Sequence, residues 1–392
     1  MGNRPAAVRV LRAAGWIIVN LITAALLTEA VLWLFFPLPP PEKYHRILRQ
    51  DLPGLKARVL YETNDLGFRS LSMRSARKPE RTLRIFALGA STTMQINQDT
   101  ADIWSAVIER RLNERFGPSG WRIEVAAWGT GGDRVFTRAR FVREKLPEYD
   151  ADLVITLEGI NDLCWNGGPG YSYPGPEARI HALGAKDRKL SKRFKRLKGR
   201  YSQIYRRLRR MQDQREIEAS LKSGRMIRYD TDSLKGNTRN YAQLPYAKEP
   251  ARDPDPYVEF SEGMETLLSD LKGRGIPAVV LGQPVLWKEG MSEQEAGVRW
   301  FYVDTTAGPV RPSMAWAVSE MRRYNERQRQ LAEKYGAVYV PLDEQLPKDL
   351  ETFFDDCHFT DAGNRHVAEV VLPYLEPVVA RLLEQRASSG GS

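Results

Sequence analysis

Five residues far apart in the chain have the types needed for acyl transfer. Ser91 lies in Leu88-Gly89-Ala90-Ser91-Thr92-Thr93, Gly129 in Ala127-Trp128-Gly129-Thr130-Gly131-Gly132, and Asn161 in Glu158-Gly159-Ile160-Asn161-Asp162. Asp355 and His358 bound the run Asp355-Asp356-Cys357-His358. A serine hydroxyl becomes a nucleophile when a histidine accepts its proton and a carboxylate orients that imidazole. Backbone N–H groups and an amide side chain can hold the oxyanion that forms next. Asp356 competes with Asp355 by adjacency, and the three-residue spacing favours Asp355. The chain has four histidines. His45 also has an acid three residues before it, Glu42, but directly follows an apolar segment; His181 falls in a basic insertion and His366 on a terminal helix. Taken singly, Ser91 reads equally well as a turn or helix-capping serine, and Asn161-Asp162 as a capping pair.

Such residues need a frame that brings them to one edge. Residues 83–88, 121–126 and 153–157 are apolar, strand-like runs, and each ends where one of the first three clusters begins. Strands are expected near 83–88, 121–127, 152–157, 277–282 and 337–341. They alternate with helical patterns over 133–145, 258–272 and 314–334. This alternation implies a parallel sheet with helices on both faces and right-handed crossovers. Ligands gather at the carboxyl ends of such strands. A last helix is expected from Thr360, a suitable cap, to about residue 384.

The four blocks, in this order and setting, resemble the SGNH (GDSL-type) hydrolases, a family of esterases, lipases and acyltransferases. The resemblance spans roughly residues 80–165 and 255–385. It implies a flavodoxin-like α/β fold, a three-layer α/β/α parallel sheet. It also implies Ser91 as nucleophile, His358 as base and Asp355 as its orienting acid, with an oxyanion hole from Ser91, Gly129 and Asn161. Many members have Asp before the serine, where this chain has Ala90; that position has no chemical role in the resemblance, so tolerance is expected. The segment Asn64-Asp65-Leu66-Gly67-Phe68-Arg69 is similar to the lead-in of membrane-tethered bacterial members.

The 392-residue chain is long for one domain, so a hydrolase core with appendages is expected. Residues 13–36 are almost wholly apolar, follow Arg4, Arg9 and Arg12, and precede a Pro-rich run. They are long enough to span a bilayer, and Thr28-Glu29-Ala30 makes a poor cleavage site, so a retained signal anchor is expected. Glu29 within it either faces a partner or reaches the interface. The arginines favour a cytoplasmic amino terminus of residues 1–12, although Lys43, Arg46 and Arg49 blur the bias. The expectation is a single-pass protein of the cytoplasmic membrane with an extracytoplasmic catalytic domain. The remaining divisions read as a linker and lead-in (37–79), a first hydrolase part (80–165), a basic helical insertion (166–254), a second hydrolase part (255–386) and a disordered tail (387–392).

The net charge of +10 is concentrated in the insertion. Between Lys186 and Arg215 there are fourteen Lys/Arg against two acids. Within it Leu190, Phe194, Leu197, Tyr201, Ile204, Leu208 and Met211 recur in alternating steps of four and three, the stripe of an amphipathic helix. That stripe fits packing on the core, contact with anionic lipid, pairing with another copy, or binding of a polyanion. Nucleic acid is not expected, because charge alone is nonspecific and the anchor points to the envelope.

The two cysteines, Cys164 and Cys357, fall near the Asn161 and His358 clusters; a disulfide and two unpaired thiols are both open readings. Their separation lacks a zinc-site spacing, and no metal or cofactor is expected. Trp128, Trp165 and Trp287 flank the same segments, where core packing is favoured over stacking on a substrate. The expected function is hydrolysis of carboxylic esters, O-acyl groups on an envelope glycan or lipid. An O-acyltransferase acting on an envelope polysaccharide and a catalytically silent glycan-binding scaffold are the alternatives.

Overall fold

The computed structural model describes residues 4–36, 45–50, 52–165, 172–187, 202–205, 207–208, 211, 215, 228–229, 241–252 and 255–389. The chain divides into two compact units: residues 1–42 with 187–225, and residues 43–186 with 226–392.

In chain order, helix α1 (Arg4–Phe35) precedes strands β1 (His45–Gln50) and β2 (Arg58–Glu62). Then come β3 (Thr82–Gly89), α2 (Ser91–Met94), α3 (Trp104–Phe116), β4 (Arg122–Gly129), α4 (Val135–Glu144), β5 (Leu153–Leu157), α5 (Ile160–Cys164) and α6 (Pro176–Asp187). Two short strands, β6 (Arg228–Tyr229) and β7 (Tyr246–Ala247), lead to α7 (Pro256–Gly273) and β8 (Ala278–Leu281). The chain continues through α8 (Glu293–Gly297), β9 (Val303–Thr305), β10 (Gly308–Pro312), α9 (Met314–Tyr335), β11 (Val338–Val340), α10 (Leu342–Gln345) and α11 (Asp361–Ser389).

The larger unit is built on a five-stranded sheet in the order β11-β8-β5-β3-β4, parallel throughout. This is the flavodoxin-like order, whose direction of winding reverses between the first and third strands, here β3 and β5. Side chains alternate across the pleat. Phe86, Leu88, Val154 and Val280 face a core built with α4, α7 and α9. Leu83, Ile85, Ala87, Ile155 and Val279 face a second core built with α3 and α11. Burial on both faces explains why these strands read as continuous apolar runs.

All five expected strands form within about two residues of their predicted limits. Helix α3 was not anticipated, because its buried positions Trp104, Ile108 and Leu112 make a narrow stripe in a charged sequence. The lead-in contains an antiparallel β1–β2 pair that the sequence also did not signal. Thr360 does cap α11, its Oγ1 accepting from Gly363 N at 2.9 Å. That helix runs to Ser389, beyond the expected end and into the stretch read as a tail, through Pro373 and Pro377.

In the smaller unit, residues 12–35 of α1 form a 24-residue stretch of mean hydropathy 2.1, long and apolar enough to cross a membrane. Glu29 on this helix has partners: its carboxylate accepts from Ser202 Oγ and Ile204 N, each at 3.1 Å, and from Gln203 N. Arg207 Nη2 donates to Phe36 O at 2.6 Å. Most of the predicted basic amphipathic helix lies outside the described residues.

Candidate active site

The register of the sheet aligns three strand ends. Gly89 of β3 is opposite both Gly129 of β4 and Leu157 of β5. Ser91, Gly129 and Asn161 therefore leave the sheet at one level, with Ser91 and Asn161 on either side of the β3/β5 switch point. Ser91 is the first residue of α2 and is half-buried. A Cβ on Gly129 would meet Ala90 O and Met94 N at 2.5 Å each, so only glycine lets β4 pass this close to the serine turn. Gly159 has φ of 137°, the conformation that turns the chain from β5 into α5 and that favours glycine.

Asn161 Nδ2 donates to Asp133 O at 2.9 Å, tying the asparagine to the loop after Gly129. That contact uses one of the two amide hydrogens and leaves the other for a ligand. Beneath it, Glu158 and Arg138 form a buried ion pair at 2.8 Å. Asp162 is buried with a pKa of about 7, raised by burial against the opposing charge of Arg134.

The second half of the site is the loop before α11. His358 Nδ1 lies 2.7 Å from Asp355 Oδ2, while Asp355 Oδ1 accepts from Cys357 N at 2.9 Å and His358 N at 2.8 Å. Burial pulls the imidazole pKa down, but the charge and hydrogen bond of Asp355 outweigh it and leave it raised. Burial likewise opposes ionisation of Asp355, and His358 with the two backbone donors lowers its pKa on balance. The His358 ring stacks on both Phe354 and Trp300, with centroids at 5.8 and 6.1 Å. Asp355, Cys357 and His358 place potential metal-ligand atoms within 4.8 Å of one another. Both oxygens of Asp355 are already engaged within this loop.

Asp356, the competing acid, is turned away to a different set of donors. It accepts from Trp287 Nε1 and Trp300 N at 2.5 Å and from Phe301 N at 2.8 Å. Burial raises its pKa to about 6 against those hydrogen bonds. Asp356 thus fastens the histidine loop to the segment 287–301. A further tether, Gln98 Nε2 to Phe359 O at 2.7 Å, joins the loop after α2 to the residue following His358. Among the described residues the Ser91 hydroxyl makes no hydrogen bond, as is common in sites that tighten only around substrate.

Arg69, in the lead-in motif, is a supporting residue to which no role was assigned from the sequence. Its buried guanidinium donates to Met94 O, Gln95 O and Gln98 O at 2.7, 2.5 and 2.6 Å, clamping the turn that follows Ser91. Trp300 was also missed, since no local pattern announces a ring that meets its histidine partner from far along the chain. Trp287 is fully buried, and the half-buried Trp128 stacks on Phe141 at 4.3 Å and packs against the core. Trp165 instead lies under the Arg134 guanidinium, 3.3 Å from its ring centroid. Neither cysteine is in a disulfide. A cavity of 250 Å³ lies in the lead-in, lined by Glu62, Asn64, Ser70 and Arg74 among others, with none of the five site residues on its wall.

Solved structures similar to this chain include LAE5, an alpha/beta hydrolase enzyme from the metagenome of Lake Arreo, Spain. It is 13% identical, with 74% of this chain and 94% of that one covered and a TM-score of 0.39. The acetyl xylan esterase AlAXEase is 11% identical, with 74% and 98% covered and a TM-score of 0.39. Axe2, an acetylxylan esterase from Geobacillus stearothermophilus, is 12% identical, with 74% and 93% covered and a TM-score of 0.38. No curated protein matches. The model of the GDSL-like lipase/acylhydrolase family matches residues 85–371, which run from β3 into α11 and include Ser91, Gly129, Asn161, Asp355 and His358. The chain belongs to that family and is a serine hydrolase enzyme.

Proposed function

We propose that this protein is a membrane-anchored serine esterase that removes O-acyl groups from a glycan or lipid of the cell envelope. The observation that carries the reading is the 2.7 Å contact between His358 Nδ1 and Asp355 Oδ2. That contact leaves Nε2 as the basic nitrogen. Ser91 Oγ attacks the ester carbonyl as His358 Nε2 takes its proton, and Asp355 stabilises the imidazolium without being protonated itself. The oxyanion is held by the N–H groups of Ser91 and Gly129 and by the free amide hydrogen of Asn161. Collapse expels the alcohol, which leaves with the proton from His358. Water, deprotonated by the same nitrogen, then releases the acid and restores Ser91.

Anchoring is supported by the apolar stretch of α1, and the three arginines before it favour an extracytoplasmic catalytic unit. The test uses the full chain in detergent with 4-nitrophenyl acetate, beside Ser91→Ala. Serine-dependent release of nitrophenol supports the esterase, and equal rates for both proteins contradict it. Supplying a sugar acceptor distinguishes transfer: acetate appearing on the sugar rather than in solution identifies an acyltransferase.

A further inference from the structure

Most buried and half-buried arginines of the larger unit are matched by carboxylates. Arg84 pairs with Glu124, Arg134 and Arg179 with Glu259, Arg138 with Glu158, and Arg143 with Asp270. Arg69 has no such acid, but several carbonyls saturate it. Arg299 and Arg311 have neither arrangement. Both are half-buried, and among the described residues neither forms an ion pair. Arg299 makes one side-chain hydrogen bond, from Nη2 to Tyr241 OH at 2.7 Å, and Arg311 makes none. Their guanidinium carbons lie 5.4 and 5.6 Å from the centroid of the Tyr241 ring, so one phenol holds both cations on the same small surface. The Nε atoms of both are buried without an acceptor. The remaining terminal nitrogens have no protein acceptor among the described residues.

Arg299 adjoins the catalytic loop, and Arg311 is joined to Arg299 through the Tyr241 ring. Arg299 precedes Trp300, whose N–H donates to Asp356 and whose ring stacks on His358. The carboxylate whose charge reaches Arg299 and Tyr241 from that loop is Asp356, already committed to three donors. On the Asn161 side, Arg252 donates to Trp165 O at 2.6 Å and, among the described residues, forms no ion pair. Two neighbouring cations are costly to hold partly buried unless an anion joins them. Guanidinium groups beside aromatic rings suit a planar carboxylate or a phosphate on a sugar, with rings to stack on the sugar face.

We propose that Arg299 and Arg311 form an anion subsite beside His358, so that the ester the enzyme cleaves is carried on an anionic sugar. The charge is a uronate carboxylate or a sugar phosphate. The proposal rests on the esterase reading for its catalytic consequence and not for binding itself.

The test compares acetylated oligogalacturonate with neutral acetylated xylo-oligosaccharide, using the full chain in detergent and following acetate release. The wild-type ratio of kcat/KM, anionic over neutral, is expected to exceed about tenfold at low salt and to shrink as salt screens the contact. In the double variant Arg299→Gln/Arg311→Gln the ratio falls to near one, with the loss in KM. In Arg299→Lys/Arg311→Lys it is largely retained. A wild-type ratio near one, or an unchanged ratio in the Gln variant, overturns the proposal. If the Gln variant does not fold, loss of the ratio on charge removal is read from Arg311→Gln alone.

Binding of deacetylated oligogalacturonate to Ser91→Ala, measured by calorimetry, separates the two readings. If wild type cleaves neither ester but this binding occurs and is lost with the arginines, the esterase reading fails and the subsite stands. If no binding is seen, a sugar phosphate is titrated in its place, and failure of both anions overturns the subsite. Binding only to phosphatidylglycerol vesicles, with no anionic sugar bound, overturns it as well.

Discussion

The His358 loop and the Arg299/Arg311 surface meet at Trp300, yet their charges are satisfied in opposite ways. In the loop, two adjacent carboxylates each have a complete set of donors. Asp355 has the imidazole and two backbone N–H groups, and Asp356 has an indole and two more. On the neighbouring surface, two guanidinium groups share one phenol and form no ion pair with a carboxylate among the described residues. A catalytic base must be held in one orientation before substrate arrives, so its partners come from the protein itself. A recognition surface does the reverse and leaves its charge for the ligand. The contrast separates the residues that make the reaction possible from those that choose what reacts.

If the loop side of this comparison is right, the largest effects come from it. Ser91→Ala and His358→Ala should each reduce turnover of 4-nitrophenyl acetate by about 10⁶-fold, and the double variant by little more, because the two act as a unit. Asp355→Asn should cost about 10⁴-fold, as the amide holds the wrong tautomer. The pH profile sharpens the assignment. Asp355 raises the His358 pKa, so the neutral base is depleted at higher pH than for an ordinary histidine of pKa about 6.5. The acidic limb of kcat/KM should therefore lie above that value and move down in Asp355→Asn.

Next in size, Asn161→Ala should lower turnover by about 10²–10³-fold with little change in thermal stability. Asp356→Ala should show the converse weighting. It strands two buried donors and one half-buried donor and should destabilise the fold by about 3 kcal/mol, read from a shift of the denaturation midpoint. Should Asp356→Ala cost as much turnover as Asp355→Asn in protein that remains folded, the division of labour between the two acids is wrong. The smallest effect belongs to the other unit. Glu29→Ala removes the acceptor for Ser202, Gln203 and Ile204. Amide exchange over residues 202–205 should speed up by about tenfold, while turnover stays within twofold.

The sheet and the loop were legible in sequence for the same physical reason. Runs such as Leu153–Leu157 are buried on both faces and so read as unbroken apolar strands. A carboxylate three residues before a histidine is a local spacing that a turn can close, and Asp355 with His358 closes it. The adjacent Asp356 could be ranked second but not assigned, because its partners Trp287, Trp300 and Phe301 come from a distant segment. Arg69 stands in the lead-in motif, yet the carbonyls it clamps lie 25 to 29 residues later. Arg299 and Arg311 had no signal at all: an arginine without a counter-ion looks like any other until the fold shows what surrounds it. Helix α3 was hidden for a simpler reason, its three apolar anchors being diluted by charged neighbours.

The assignment of Ser91 as the nucleophile is tested most directly by mass spectrometry of the full-length chain after treatment with a fluorophosphonate. The account predicts one phosphonyl adduct on the peptide containing Ser91, and its loss in His358→Ala. An adduct on a different serine, or none from folded protein, would contradict it.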